Sequence, residues 1–399
     1  MRLYIGIFSI ALIIALVEVL FYIVFLRKTK HPKRWMIVSF SFSAFYVAYW
    51  AILFITSPES YEHLQPDNYS LYFLATTIMI LFYFPRIIAL LIQLILFILS
   101  LTTIWTKQIA EKTSLLLGGA IMILILAGIF VLRFQFRVIE VPVKHAAIPE
   151  SFEGYRIVQI SDLHLGTAKY SKGAFNRMVN KINALEPDMV VFTGDLVNNF
   201  ASELDGWEPI LNKIESNDGV YAILGNHDYG DYVKWRTPKD KEQNFAEIVS
   251  FFDKINWQLM RNERKILVKN NDTLLLAGVE NWGHPPFPQY GELNKSVPLS
   301  TRHPVILLSH DPSHWESEIL QHHANIFLTL SGHTHGLQFG IRSSWLNISP
   351  VSMKYEKWGG LYEHDSRLLY INVGTGTIGF PGRIGMRPEI TLLTLHSKN

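Results

Sequence analysis

From Leu3 to Leu26 the chain carries one charged residue, Glu18. A helix that is apolar on every side needs surroundings without water, and about 20 such residues cross the hydrocarbon core of a bilayer. The run is too long for the apolar core of a signal peptide and lacks the charged start and small-residue cleavage site of one. Trp35 to Thr56, Tyr69 to Ile104 and Ser114 to Leu132 have the same character. Tyr69 to Ile104 is longer than one span needs. Pro85 and Arg86 interrupt it, so an outer helical segment running into a kinked span is expected, with a hidden fifth span as the alternative. Residues 1–133 are thus read as an α-helical membrane domain of about four spans, 134–154 as a connector holding Pro142 and Pro149, and 155–399 as a soluble domain. Glu18 inside a span is either functional or a structural carboxylate paired within the bundle. No second carboxylate accompanies it there, which favours the paired reading.

Loop charge sets the orientation. The first loop, "RKTKHPKR", holds five Lys/Arg, the loop from Ser57 to Ser70 holds none, and the loop around Lys107 and Lys112 holds two. Basic loops stay cytoplasmic. With four spans, both chain ends then lie outside and the soluble domain is extracytoplasmic.

The soluble part is chemically ordinary. Of 36 Lys/Arg and 34 Asp/Glu, 12 and 7 fall in residues 1–150, which leaves 24 against 27 for the remainder. With no basic stripe, nucleic acid is not expected as a partner. The chain has no cysteine, so disulfides, thiolate metal sites and cysteine nucleophiles are excluded.

Past the connector a pattern repeats: a short β-branched run ends in a polar turn, often with glycine. "YRIVQIS" ends in Asp162 and His164, "DMVVFTGD" in Asp195, and "GVYAILGNHD" in Asn226, His227 and Asp228. "PVILLSHDP" ends in His310, and "ANIFLTLSGHTHG" in His333 and His335. Helical stretches such as Ala174 to Leu185 and Asn244 to Lys254 separate some of the strands, giving a mixed α/β fold. In such sheets functional groups gather at the carboxyl ends of strands. Singly, each group has a bland reading: Asp162 as a helix cap, Gly194–Asp195 as a common turn, His310 as a solvated imidazole. Together, five strand ends deliver two carboxylates, an amide and four imidazoles. That set suits one or two divalent cations such as Mn²⁺, Zn²⁺ or Fe²⁺.

The ordered series Asp-x-His, Gly-Asp, Gly-Asn-His-Asp, His and Gly-His-x-His resembles the calcineurin-like metallophosphoesterase superfamily over roughly residues 155–399. "GHTHGLQFG" and the tail "FPGRIGMRPEITLLTL" resemble its bacterial membrane-associated branch, often grouped with UDP-2,3-diacylglucosamine pyrophosphohydrolase-like proteins. The resemblance implies an αββα sandwich of two mixed sheets and a dimetal phosphoesterase working by metal-activated hydroxide. It implies that Asp162, His164 and His335 bind one metal, that Asn226, His310 and His333 bind the other, and that Asp195 bridges both. His227 would be the general acid beside the leaving oxygen. The implied partners are a phosphate-ester substrate, lipid-linked or of the cell envelope, and the plasma membrane. Pyrophosphate cleavage of an acylated nucleotide sugar, and a non-catalytic binding protein on this fold, are the alternatives.

The sequence also departs from part of the family. Phosphoprotein phosphatases follow Gly-Asp with an Asp-Arg pair that orients the histidine and grips phosphate, whereas this chain has Asn198 and Asn199. Protein phosphatase activity is therefore not expected, and the orienting partner of His227 is left open. Asn198, Arg383 and Arg387 are the candidates for substrate binding, with exposed surface arginines as the other reading of Arg383 and Arg387. Aromatics around Asn281, Trp282 and His284, and from Trp358 to Asp365, either shape an apolar pocket or pack as core. His303, His314, His322 and His323 match no motif position and are expected at the surface.

Overall fold

A computed structural model of the chain describes residues 2–56, 66–100, 107–283, 288–343 and 346–398. His284 and residues 57–65 of the loop without Lys or Arg fall outside these. The chain divides into two compact units, the first built on Met1–Val131 and the second on Leu132–Ile378 and Gly382–Asn399.

The first unit is helical: α1 (Arg2–Val24), α2 (Pro32–Thr56), α3 (Pro66–Ile78), α4 (Phe84–Ser100) and α5 (Lys107–Phe130). Among the described residues four stretches are long and apolar enough to cross a membrane: Ser9–Lys28, Pro32–Leu53, Leu71–Ser100 and Ile109–Phe134. The third runs through α3 and α4 without a break in the chain path, so the described residues give no fifth span. Its irregularity lies just ahead of Pro85, as one π-helical turn over Met79–Tyr83. Pro85 has no N–H to donate back along the helix, and a widened turn is a common way to absorb that defect.

Glu18 is paired. It is 1% exposed and accepts from the Arg86 guanidinium and the Ser39 hydroxyl. Arg86 also lies over the Phe21 and Tyr83 rings, 5.3 and 5.6 Å from their centroids. Removing one partner of a buried pair strands the other charge, at a cost of about 3–5 kcal/mol. Arg86→Met is therefore expected to destabilise the helical unit by about that much. Glu18→Gln combined with Arg86→Met should restore most of it. Thermal unfolding in detergent reads both, and an Arg86→Met chain as stable as wild type would make the pair dispensable.

The second unit holds fourteen described strands. They are β1 (Arg137–His145), β2 (Arg156–Ile160), β3 (Met189–Thr193), β4 (Val220–Ile223), β5 (Trp257–Leu259), β6 (Glu263–Lys269) and β7 (Asp272–Gly278). Then come β8 (Val305–Leu308), β9 (Ile326–Ser331), β10 (Ile341–Arg342), β11 (Asn347–Ile348), β12 (Gly360–His364), β13 (Arg367–Ile371) and β14 (Glu389–Ser397). Two six-stranded sheets run β1-β14-β2-β3-β4-β5 and β12-β13-β9-β8-β7-β6, and β10 and β11 form a small hairpin. Both large sheets are mixed. β2 to β5 are parallel neighbours and so are β7, β8, β9 and β13, while β14, β12 and β6 pair antiparallel to β2, β13 and β7.

Alternation along the strands builds the layers. Ile157, Met189, Val191, Tyr221 and Ile223 meet Leu276, Ile306, Leu308, Leu328 and Leu330 between the two sheets. The opposite face of the first sheet packs Val158, Val190 and Phe192 on helices such as α6 (Lys172–Asn183) through Phe175 and Met178. Beyond the second sheet, Leu275, Ala277 and Leu307 pack on Trp315 and Ile319. The expected αββα sandwich of two mixed sheets is present. Parallel strands covered on both faces read as continuous apolar runs, which is how β3, "MVVFT", looks in the sequence.

The connector reading of 134–154 needs correcting. Residues 137–145 are β1, paired with β14 along nine residues from Arg137↔Glu389 to His145↔Ser397. Pro142 cannot donate to a ladder, but β1 is the outer strand of its sheet, where that costs little. Val141 and Val143 point into the layer between the sheets.

Candidate metal centre

Seven predicted ligands come from the carboxyl ends of β2, β3, β4, β8 and β9, so both sheets contribute. Asp195 Oδ2 lies 3.2 Å from His310 Nε2 and 3.5 Å from His164 Nε2. His335 Nε2 is 3.2 Å from Asp162 Oδ1 and 3.0 Å from His164 Nε2. Asn226 Oδ1 is 2.8 Å from His333 Nδ1 and 3.1 Å from His310 Nε2. Two sets of converging atoms result: Asp162, His164, Asp195 and His335, and Asp195, His310 and His333, each with its ligand atoms within 4.8 Å of one another. Asn226 joins the second set by these distances, and Asp195 belongs to both.

The backbone is bent to make this possible. Asp162, His164, Asp195, His333 and His335 all have positive φ, between 44° and 74°. Non-glycine residues rarely adopt that conformation, and it concentrates at sites where the surroundings enforce it. The surroundings here are tight. A Cβ on Gly194 (φ 95°) would stand 2.6 Å from the Gly225 nitrogen and 2.8 Å from His310 Nδ1. One on Gly332 would meet Ser161 Oγ at 1.9 Å and Asp162 Oδ2 at 2.5 Å. The amide of Asp162 donates to the Gly194 carbonyl and that of His164 to the Asp195 carbonyl, which laces the first two strand ends together.

The electrostatics ask for a cation. Asp162 and Asp195 are fully buried, and among the described residues no Lys or Arg forms an ion pair with either. Burial works to raise Asp195, yet the His310 and His227 imidazoles outweigh it and hold the carboxyl well below its usual range. Asp162 is held down likewise, against burial, chiefly by His335. Burial also opposes charge on His310, but the Asp195 carboxylate beside it pushes that imidazole up to about 10. Burial keeps His164 well below its ordinary value, and therefore neutral with a lone pair to give. Two ionised carboxylates among imidazole and amide donors form a set that fits borderline divalent cations.

Residues 155–337 match the calcineurin-like phosphoesterase family. An uncharacterized metallophosphoesterase of Bacillus subtilis, YkuE, is 32% identical, the match covering 65% of this chain and 85% of that protein. The chain belongs to the calcineurin-like metallophosphoesterase family. Members are phosphoester hydrolases that depend on two metals. A transmembrane protein with metallophosphoesterase domain from Danio rerio is 32% identical over 65% of this chain, and a Bos taurus protein of the same description is 33% identical. The chain spans only 57% and 56% of the length of those two relatives. The UDP-2,3-diacylglucosamine pyrophosphatase LpxG of Chlamydia trachomatis is 28% identical over 57% of this chain and 81% of its own length.

His227 stands beside the two ligand sets rather than in them. Its Nδ1 lies 2.7 Å from the Asn198 carbonyl oxygen. A carbonyl only accepts, so Nδ1 carries the proton and Nε2 is the nitrogen left for exchange. The Tyr232 ring stacks on His227 at 4.2 Å and 6°, and the Tyr232 hydroxyl accepts from Asn226 Nδ2 at 2.6 Å. A main-chain oxygen and a tyrosine face thus fill the orienting role left open by Asn198. Asn198 itself is buried with its side chain on Thr167, and its N–H, with those of Asn199 and Phe200, is gripped by Glu203.

Arg383 meets the first ligand set from the interior, and Arg387 lies in a depression lined by none of the seven. Arg383 is 1% exposed and donates to the carbonyls of Gly376 and Val373, with Nη2 3.4 Å from His335 Nδ1. The surface reading does not hold for Arg383, whose guanidinium is largely taken up by main-chain carbonyls. Arg387 is exposed and lines a separate depression with Arg137, Arg342 and Glu389. His303 and His323 are exposed as expected, but His314 and His322 are buried. His314 bridges Ser309 and Glu318 under the stacked Trp282 ring, and His322 faces Asn294. Trp282 and Trp358 are buried and pack as core.

Sequence reasoning missed Asp228. Its carboxylate accepts from the N–H groups of Asp195, Leu196, Val197 and Gly225, and so fixes the turn that aims Asp195. Its place within Gly-Asn-His-Asp was the available signal. Tyr355, whose hydroxyl lies 2.8 Å from His333 Nε2, gave none.

Proposed function

We propose that the chain is a membrane-integrated dimetal phosphoesterase whose domain faces outside the cytoplasm and acts on lipid-linked or envelope phosphate esters. The observation that carries the reading is Asp195, the one carboxylate common to two converging ligand sets. Asp162, His164, Asp195 and His335 would hold one divalent metal, and Asp195, Asn226, His310 and His333 the other. Metals bound there would polarise the phosphoryl group and acidify the attacking water. His227, with Nδ1 fixed on Asn198, would exchange a proton with the leaving oxygen through Nε2. Buried Asp195 and Asp162 keep the ligand atoms in place without lysine or arginine.

The LpxG relative supports a second reading, pyrophosphate cleavage in an acylated nucleotide sugar. The two readings differ in the side of the membrane their substrates occupy. Purified chain with Mn²⁺ or Zn²⁺ is expected to hydrolyse aryl and lipid phosphates in a panel that also holds nucleotide sugars. Reporter fusions at Asn68 and at the C-terminal end are expected to place both outside. A cytoplasmic C-terminal signal with turnover confined to the nucleotide sugars would replace the first reading by the second.

A further inference from the structure

A cavity of about 320 Å³ opens beside the ligand sets, with His333 and His335 in its wall. It is at the small end of the roughly 300–1,000 Å³ range of ligand sites, enough for part of a molecule. Away from the imidazoles its lining turns apolar, through Leu337, Pro350, Val351 and Ile378. Thr334, Gln338, Lys354 and Tyr355 complete it. Lys354 is exposed, rests 4.9 Å from the Tyr355 ring centroid and forms no ion pair among the described residues. Imidazoles and apolar side chains therefore share the lining, and Lys354 is its one Lys or Arg.

Leu337 is held in this lining by force of backbone. Gly336, Leu337 and Gln338 have φ of 52°, 48° and 61° in succession. A leucine there is an outlier. The conformation is locked from both sides: Ser349 Oγ donates to the Gly336 carbonyl at 2.7 Å, and Gln338 accepts from the amides of Ile378 and Ile384 at 2.6 and 2.8 Å. Leu337 stays 51% exposed while Gly336 and Gln338 are buried. The same stretch exposes more apolar surface. Ile341 and Ile348 face each other across the β10–β11 hairpin at 54% and 57% exposure, and Met353 is 92% exposed. Of the nine exposed large apolar residues described in this unit, these four fall within 337–353, so the apolar surface is concentrated next to the ligand sets.

We propose that this cavity takes the apolar chain of an amphiphilic phosphoester, with Lys354 meeting an anionic group at its mouth. The assignment rests on the phosphoesterase reading and adds to it a subsite for the substrate's apolar chain.

Alkylphosphonates, which carry the phosphonate anion on chains of one to ten carbons and cannot be hydrolysed, separate the two. The full-length chain in detergent with Mn²⁺ would be assayed on 4-nitrophenyl phosphate with each phosphonate as competitor, below its own micelle concentration. The inhibition constant is expected to fall about three- to fourfold per methylene until the cavity is full, then level off. Leu337→Gln and Ile378→Gln, the first at a half-exposed position, should each flatten that slope. Equal inhibition by all chain lengths overturns the proposal. So does a slope identical in wild type and both variants, because that reports partition into detergent. Should 4-nitrophenyl phosphate not be turned over at all, the phosphoesterase reading fails. Calorimetric binding of methyl- against octylphosphonate then still decides the subsite, tighter octyl binding that weakens in Leu337→Gln supporting it and equal binding overturning it.

Discussion

Asp195→Asn is expected to empty both metal positions at once. Asp195 is the one side chain in both converging sets, and the substitution keeps its shape while removing the charge. Asn can still accept the His227 amide that Asp195 Oδ1 now takes at 2.9 Å, so the turn itself should survive. Changes in groups that merely support a metal ligand cost about 10–100-fold in affinity. Loss of a shared anionic ligand should exceed that at both positions, and kcat/KM should fall by more than about 100-fold with it. Asp162→Asn is the contrast, since Asp162 belongs to the first set alone. Metal analysis after dialysis against a fixed Mn²⁺ concentration should find both metals lowered in Asp195→Asn and one in Asp162→Asn. An Asp195→Asn chain with unchanged metal content, or one that loses a single metal, would remove the bridging assignment.

The strand ends were legible because of how this fold is buried. β2, β3, β4, β8 and β9 lie inside their sheets with both faces covered, so each is mostly apolar, broken only by residues such as Gln159 in β2 and Thr329 in β9, and the polar residues that follow stand out. β1 sits at a sheet edge, is only partly buried and contains Pro142, so it reads as irregular chain although it pairs along its whole length. The ligands belong to the legible class, each being polar and local to one strand end, and all but His310 stand within four residues of a glycine. What holds them is not. Asp228 reaches across to the Asp195 turn, Tyr355 comes to His333 from 22 residues on, and the Asn198 carbonyl meets His227 from 29 residues away. A main-chain carbonyl has no sequence signature, since every residue owns one. Arg383 shows the same limit from the other side. A charged residue in a Gly/Pro-rich stretch suggests surface, whereas here four of its polar contacts are to main-chain carbonyls in the interior. For Arg86 and Glu18 the partners are 68 residues apart, and only the bundle brings them together.

His227→Ala should separate the proton chemistry from metal binding. The imidazole lies outside both converging sets, is aimed by the Asn198 carbonyl and stacks on Tyr232. What the variant keeps matters as much: the His227 amide still donates to Asp195 Oδ1, and Asp228 still holds the Asp195 turn through four N–H groups. Metal content and thermal stability should therefore stay near wild type. A positioned general acid contributes about 10²–10⁴-fold, so kcat should drop by that factor on alkyl phosphates, whose leaving alkoxide needs a proton. On 4-nitrophenyl phosphate the leaving phenolate is stable without one, and the loss should shrink toward unity. The ratio of the two losses is the decisive number, because a variant that had merely misplaced the ligands would lose both substrates equally. An equal loss, or a metal lost along with the imidazole, would instead make His227 part of the metal-holding frame.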